Sequence, residues 1–230
     1  MALPLPISAE ENNPFLLETL ADLLAMNYLT PLAGNYLPWS GYAMRPSGLV
    51  KILNQILIRQ HLTIVECGGG ISTLYISRLF AQNGWQGHLY CIENNRDWLD
   101  FLAARLDNEG LKNYVTLIDA PLKPCDFAID QTPWYDVEAI RHALPPSQTI
   151  DCLLVDGPPA YRPEIQYSRF PAVPFFKNQL ATGSTILLDD INREGEQAIL
   201  KRWQDLLNAT FDTSEGNVAI AQVSTTPNIA

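Results

Sequence analysis

The sequence predicts one α/β domain whose mostly parallel sheet is doubly wound, with helices on both faces. From about residue 62 onward, short β-branched runs alternate with stretches of helical periodicity, as in βαβ units whose crossover helices cover a parallel sheet. Two of the runs, 150–155 and 184–188, are almost continuously apolar, as befits strands buried on both faces. The length, 230 residues, suits one such domain with appendages.

The elements follow in order. Asn13-Pro14 reads as a helix cap with proline at the first helical position, and Phe15, Leu16, Leu20, Leu23 and Leu24 recur at helical spacing, giving a helix over about 14–27. Pro31, Gly34, Pro38, Gly41 and Pro46 mark a long loop. Ser47-Gly48 opens a second helix with the stripe Leu49, Ile52, Leu53, Ile56, Leu57. Residues 1–60 thus read as a helical cap and lid loop on a core of 61–223, within a single domain 1–230.

Strands are expected at 62–66, 87–92, 114–118, 150–155 and 184–188, with two more near 210–213 and 218–223. Helices are expected over 72–83, from a cap at Asn95 or Asp97 through Asp107, around 171–181, and over 194–208. Residues 120–149 read as a long connection with at most a short helical turn.

Composition narrows the partners. The net charge of −10 and a pI near 4.7 give an acidic field that repels phosphate backbones and anionic lipid, so neither nucleic acid nor a membrane is expected. No apolar run approaches the ~20 residues of a bilayer span. The start, Met1-Ala-Leu-Pro-Leu-Pro6, lacks the basic and apolar regions of a signal peptide. Cys67, Cys91, Cys125 and Cys152 have no metal-ligand spacing and read as small core hydrophobes in a reducing, cytoplasmic setting.

In open α/β sheets, ligands lie beyond the carboxyl ends of the strands. The first strand ends in Glu66-Cys-Gly-Gly-Gly-Ile-Ser-Thr73, a turn whose glycines permit close backbone approach. The second ends in Glu93, 23 residues beyond Gly70, where an acid can accept from both hydroxyls of a ribose. This constellation fits either a nicotinamide or flavin dinucleotide or S-adenosylmethionine. Thr73 replaces the third glycine of the dinucleotide pattern, and Glu66 would repel a pyrophosphate yet suits an ammonium. Asp119-Ala120, ending the third strand, offers an acceptor for an adenine amine. The balance favours S-adenosylmethionine.

On these residues, with Val155-Asp156-Gly157-Pro158-Pro159 and Leu187-Leu188-Asp189-Asp190, the chain resembles the class I S-adenosylmethionine-dependent methyltransferases over roughly residues 45–223. The resemblance implies a Rossmann-like seven-stranded sheet in the order 3-2-1-4-5-7-6, with the last strand reversed. It also implies that Glu66, Gly68, Gly70, Ser72 and Thr73 serve the methionine end, Glu93 the ribose, and Asp119 and Ala120 the adenine. Ser72 replaces the last glycine of the family's first motif.

Asp156 ends the fourth strand and Asp189-Asp190 the fifth. Three carboxylates on one rim suit Mg²⁺, and the pattern is similar to the metal-dependent O-methyltransferases of the caffeoyl-CoA and macrocin types. Two metal-free readings stand beside it. Asp156 contacts the methionine ammonium while Asp190 caps a helix, or Asp156, with Asp189, is the catalytic base. Trp39, Tyr42, Trp134, Tyr135, Tyr161 and Tyr167 line the loops and suggest an aromatic wall for an acceptor, with Arg45, Arg162 or Arg169 for an anionic group. Of these, Trp39, Tyr42, Trp134, Tyr135 and Arg162 are the acceptor-contact expectations. His61, His88 and His142 read as non-catalytic. The expected function is methyl transfer to a small-molecule acceptor at oxygen, with a homodimer left open. A silent S-adenosylmethionine-binding module and a nicotinamide-dependent oxidoreductase are the alternatives.

Overall fold

The computed structural model describes residues 14–214 and 216–223. The cap read at Asn13, the leader-free start read at Met1–Pro6 and the side chain of Phe15 lie outside the described residues. Helix α1 spans Pro14–Leu29 and α2 Pro46–Arg59; the alternation then runs β1 Thr63–Cys67, α3 Ile71–Asn83, β2 His88–Glu93, α4 Arg96–Asn108 and β3 Val115–Asp119. Asn95 is the cap of α4, its side chain accepting from Trp98 N at 3.2 Å.

The connection after β3 holds more structure than its composition suggests. A two-stranded hairpin pairs β4, Leu122–Lys123, with β5, Trp134–Tyr135, and the helix α5, Val137–Ala143, follows, capped by Asp136. Then come β6 Ile150–Val155, α6 Ala172–Phe176, β7 Leu180–Asp189, α7 Glu194–Leu207 and β8 Val218–Gln222. The helix expected over 171–181 is the short α6 followed by a 3₁₀ turn, because β7 starts at Leu180.

Among the described residues the main sheet has six strands in the order β3-β2-β1-β6-β7-β8, all parallel except β8. This corrects the expected seven. The segment near 210–213 makes one antiparallel bridge, Asp212 to Ile220, outside β8. Its position is that of the missing edge strand, but the Asp212 carboxylate accepts from Ser214 N at 3.0 Å and turns the chain away.

Alternate strand residues feed two cores. Val65, Leu153, Val155, Ile186 and Leu188 face α5–α7, with Trp134, Phe176 and Trp203. Ile64, Leu89, Leu154 and Leu187 face α2–α4, and α2 adds Leu49, Ile52 and Ile56 to that core. The crossovers after β1 and β6 leave to opposite faces, which makes the ends of these neighbouring strands the crevice of the sheet.

At that point the backbones touch. Gly68 N still donates to Ile92 O and Asp156 N to Cys67 O, both at 2.9 Å. Gly68 has φ +91°, and a Cβ on it would lie 2.8 Å from Gly157 N. A Cβ on Gly157 would lie 2.7 Å from Gly68 Cα and 2.3 Å from the Tyr135 hydroxyl. Neither position accepts a side chain. Gly157→Ala is expected to lower stability by about 1–3 kcal/mol, the cost of overpacking a closed site; an unchanged midpoint in chemical denaturation would show that the strand ends have room to part.

Candidate active site

A cleft of about 450 Å³ opens over the ends of β1, β2, β6 and β7, between the glycine turn on one side and Asp156, Asp189 and Asp190 on the other. Gly68, Gly70, Ser72 and Glu93 are all on its wall. The turn is fixed by three neighbours. Gly69 N donates to Glu93 Oε2 at 3.1 Å, Trp98 Nε1 donates to Gly69 O at 2.7 Å, and Gly70 N donates to Thr73 Oγ1 at 3.0 Å. Glu93 Oε1 accepts from Asn94 N and Asn95 N at 2.8 and 2.7 Å. Burial raises the Glu93 pKa, and those three amides oppose the rise. A carboxylate offers about four acceptor sites, so one remains for a ligand.

Two residues expected at the methionine end lie beneath the turn instead of on the cleft wall. Thr73 is fully buried and donates to Glu66 Oε2 at 2.5 Å. Glu66 is itself fully buried, and its Oε1 has no hydrogen-bond partner among the described residues. Burial pushes its pKa from 4.5 to about 7, while Ser72, Thr73 and Cys91 pull it down and Glu93 adds to the rise. Glu66 and Thr73 therefore brace the turn.

Asp119 and Ala120 do not line the cleft either. The first residue of α4, Arg96, draws Asp119 outward into a 3.1 Å ion pair, and Ala120 is buried in the core. Asn94, Asn95 and Trp98 line the corresponding wall. Sequence reading missed Trp98; the available signal was an aromatic residue three places after the cap of the helix that follows the ribose acid.

Asp156, Asp189 and Asp190 do converge, one oxygen of each lying within 4.8 Å of the others. The parallel register that sets Val155 beside Leu188 brings them together. Burial, then repulsion from Asp189, holds the Asp156 pKa well above the ordinary range. Burial, then Asp190, pushes Asp189 to about 7. This pair keeps a proton toward neutral pH, and Asp189 Oδ1 lies buried without a hydrogen-bond partner among the described residues.

The cluster already contains a cation. Arg169, 3% exposed, places Nη2 at 3.3 Å from Asp156 Oδ1 and 3.0 Å from Asp190 Oδ2. The same guanidinium donates to the carbonyls of Asp156, Pro158 and Asp189 at 2.8, 3.3 and 3.1 Å. Arg193 Nη1 lies 2.8 Å from Asp190 Oδ2. Mg²⁺ does not fit this donor set. The guanidinium fills the gap between two of the three acids, and a divalent ion about 4 Å from it meets a repulsion of about 8 kcal/mol at an effective dielectric of about 20.

Of the expected acceptor contacts, Tyr42 and Tyr135 reach the cleft. Tyr42 is exposed at the mouth, its ring centroid 6.4 Å from that of Tyr161, which also lines the cleft. Tyr135 lies below, its hydroxyl buried and without a hydrogen-bond partner among the described residues. Trp39 instead packs edge-on against Tyr75 at 6.5 Å. Trp134 is fully buried against Phe175 and Phe176, at 5.2 and 6.3 Å. Arg162 stacks over the outer side of Tyr161 and is not on the wall, and Arg45 is paired with Glu18 and Asp22. His61 and His88 bond Thr185 and Thr116, each at 2.8 Å and away from the cleft, and His142 closes α5.

A family description of a methyltransferase domain matches residues 65–191, more than half of the chain. The chain belongs to this methyltransferase family. The matched span runs from β1 to the end of β7 and so contains both walls of the cleft. Among solved structures, a Podospora anserina methyltransferase bound to S-adenosylhomocysteine is similar, with TM-score 0.61 and 13% identity over 98% of this chain and 99% of that one. An O-methyltransferase of Bacillus cereus in complex with S-adenosylhomocysteine gives TM-score 0.56 and 16% identity over 90% of each chain. The O-methyltransferase TomG of Streptomyces achromogenes, in complex with S-adenosylmethionine, gives 0.52 and 18% over 89% of this chain and 90% of its own. No curated protein matches the methyltransferase.

Glu66 supplies a test of the brace. Its folded pKa of about 7 exceeds 4.5, so between these values the native state binds more protons than the unfolded chain and stability falls as pH rises. Glu66→Gln is expected to flatten that fall, leaving the variant about 1–3 kcal/mol more stable than the parent at pH 8 and level with it near pH 4.5. Denaturation curves across pH check this. S-adenosylhomocysteine affinity within a few fold of the parent is expected, whereas a large loss would return Glu66 to the ligand's contact shell.

Proposed function

We propose that this methyltransferase uses S-adenosylmethionine to methylate an oxygen of a small molecule. One observation carries the reading: a single cleft has the glycine turn and Glu93 on one wall and the Asp156–Asp189 pair on the other. The S-adenosyl ligands named for the Bacillus, Podospora and Streptomyces proteins support the same cofactor here. Bound S-adenosylmethionine would supply an electrophilic methyl group on a sulfonium.

In this reading Gly68, Gly70 and Ser72 hold the methionine end. Glu93 accepts from the ribose with its one free acceptor site. Asn95 and Trp98 border the adenine, a role that the outward turn of Asp119 leaves to them. Tyr42 and Tyr161 form a mouth that stacks on an acceptor. The Asp156–Asp189 pair takes the proton that the acceptor hydroxyl loses as its oxygen bonds the methyl carbon and the carbon–sulfur bond breaks. The protein's main contribution is alignment, since the methyl is reactive in itself. The cap and core form one domain, with α2 as a layer of the sheet's packing.

The test separates binding from chemistry. Glu93→Ala is expected to weaken S-adenosylhomocysteine binding by about 1–3 kcal/mol in a calorimetric titration, the cost of losing a charged hydrogen-bond partner; full affinity would remove Glu93 from the site. Asp189→Asn is expected to keep that affinity and lose about 10²-fold or more in turnover with a hydroxylated acceptor. Stoichiometric cofactor binding with no transfer across a panel of hydroxyl and amine acceptors would instead identify a binding module.

A further inference from the structure

We propose that Arg169 is the resident cation of this active site, standing where a divalent ion would bridge Asp156 and Asp190, so that the reaction runs without metal. The inference rests on the reading of the cleft as the methyl-transfer site.

Every edge of that guanidinium is occupied. Nε and both terminal nitrogens reach three backbone carbonyls, and Nη2 also reaches the two carboxylates. The chain on either side is pinned as well: Ser168 Oγ donates to Pro159 O at 2.8 Å, and Trp203 Nε1 donates to Phe170 O at 3.0 Å. Arg169 therefore cannot swing aside as an exposed arginine would. An arginine also stays charged at any pH the protein meets.

Glu196 gives an independent reason for its permanence. This residue in the first turn of α7 is fully buried, and neither carboxylate oxygen has a hydrogen bond among the described residues. Its cations are Arg169 Nη1 at 3.6 Å and Arg193 Nη1 at 3.5 Å. Displacing Arg169 to admit a metal at the rim would strip Glu196 of its buried partner, since the ion would sit among the three aspartates and not against α7. Only the partly exposed Arg193 would then face it, and a buried acid that loses its buried cation is strongly disfavoured. The guanidinium thus serves both sides, the aspartates at the rim and the glutamate behind it.

Manganese is the probe. In the presence of S-adenosylhomocysteine, electron paramagnetic resonance titration of the parent protein at millimolar Mn²⁺ is expected to match the background of Asp190→Ala. Arg169→Met, which removes the charge and keeps much of the volume, is expected to gain a bound Mn²⁺ at least tenfold above the parent. Turnover after EDTA treatment is expected to stay within twofold. One stoichiometric Mn²⁺ on the parent that disappears in Asp190→Ala, or activity abolished by EDTA and restored by Mg²⁺, overturns the proposal. So does a folded Arg169→Met that takes no Mn²⁺, since the acids would then form no latent cation site. If Arg169→Met does not fold, the parent titration decides alone. Calorimetry with S-adenosylhomocysteine on the same parent sample keeps the two readings apart, because failure to bind it rejects the cofactor assignment and leaves the manganese result readable.

Discussion

The cleft over the strand ends depends on the approach of two backbone segments, Gly68 to Gly157. Each strand end would place a Cβ under 3 Å from the other chain, a separation that only glycine on both sides permits. Because β1 and β6 meet there without side chains, the glycine turn and Asp156 share one rim. A larger residue at either position would part the strand ends and move the two walls of the cleft independently. The same contact admits the Tyr135 hydroxyl to the floor, since any side chain on Gly157 would collide with it.

Burial of charge is the second constraint, and it differs across the crevice. On the β1–β2 side the donors are neutral: Glu66 Oε2 accepts from the Thr73 hydroxyl and Glu93 from three backbone amides, while Glu66 Oε1 has no partner among the described residues. On the β6–β7 side, three acids, Asp156, Asp190 and Glu196, pair with two arginines, and Asp189 lies beside the first two. Hydrogen bonds from neutral donors leave a carboxylate's charge in place, whereas a guanidinium compensates it. The left wall therefore stays acidic only to the extent that burial allows, as the raised pKa of Glu66 reflects. The right wall is held near balance by Arg169, Arg193 and the proton kept by the Asp156–Asp189 pair.

The fold was largely legible because the sheet's interior dictates composition. Strands buried on both faces must be apolar and β-branched, and glycine must stand where strand ends touch, so Thr63–Cys67, Ile150–Val155 and the glycine turn announce themselves. The placement of Glu93, Asp156 and Asp189 on the cleft was legible for a related reason, since strand ends in such sheets rim the crevice. What escaped was set by partners distant in sequence. Asp119 ends its strand as expected, yet Arg96 draws it outward. Trp134 lies in a connection rich in turn residues, yet a two-stranded hairpin folds it into the core against Phe175 and Phe176. Arg169 reads in the sequence as a candidate clamp for an anionic acceptor group, because the carboxylates it pairs with, at 156, 190 and 196, lie elsewhere in the sequence. The edge strand failed for a local reason, the turn that Asp212 makes with Ser214.

The compensated acids also bear on how the proposed reaction would be favoured. Methyl transfer from a sulfonium disperses a positive charge, so the reactant state is more cationic at sulfur than the transition state. A wall of uncompensated carboxylates would bind the reactant more tightly than the transition state and slow the step, because only differential stabilisation accelerates chemistry. Yet a carboxylate must be present to take the acceptor's proton. A fixed guanidinium resolves the conflict: it lowers the negative potential seen by the sulfonium while leaving Asp189 with an unpartnered oxygen and a pKa near that of the medium. A group so poised accepts a proton as the acceptor oxygen attacks without first holding the donor's charge in place. In the proposed reaction Arg169 would therefore act through the field it sets rather than through a bond to the reactants, and its burial would keep that field constant.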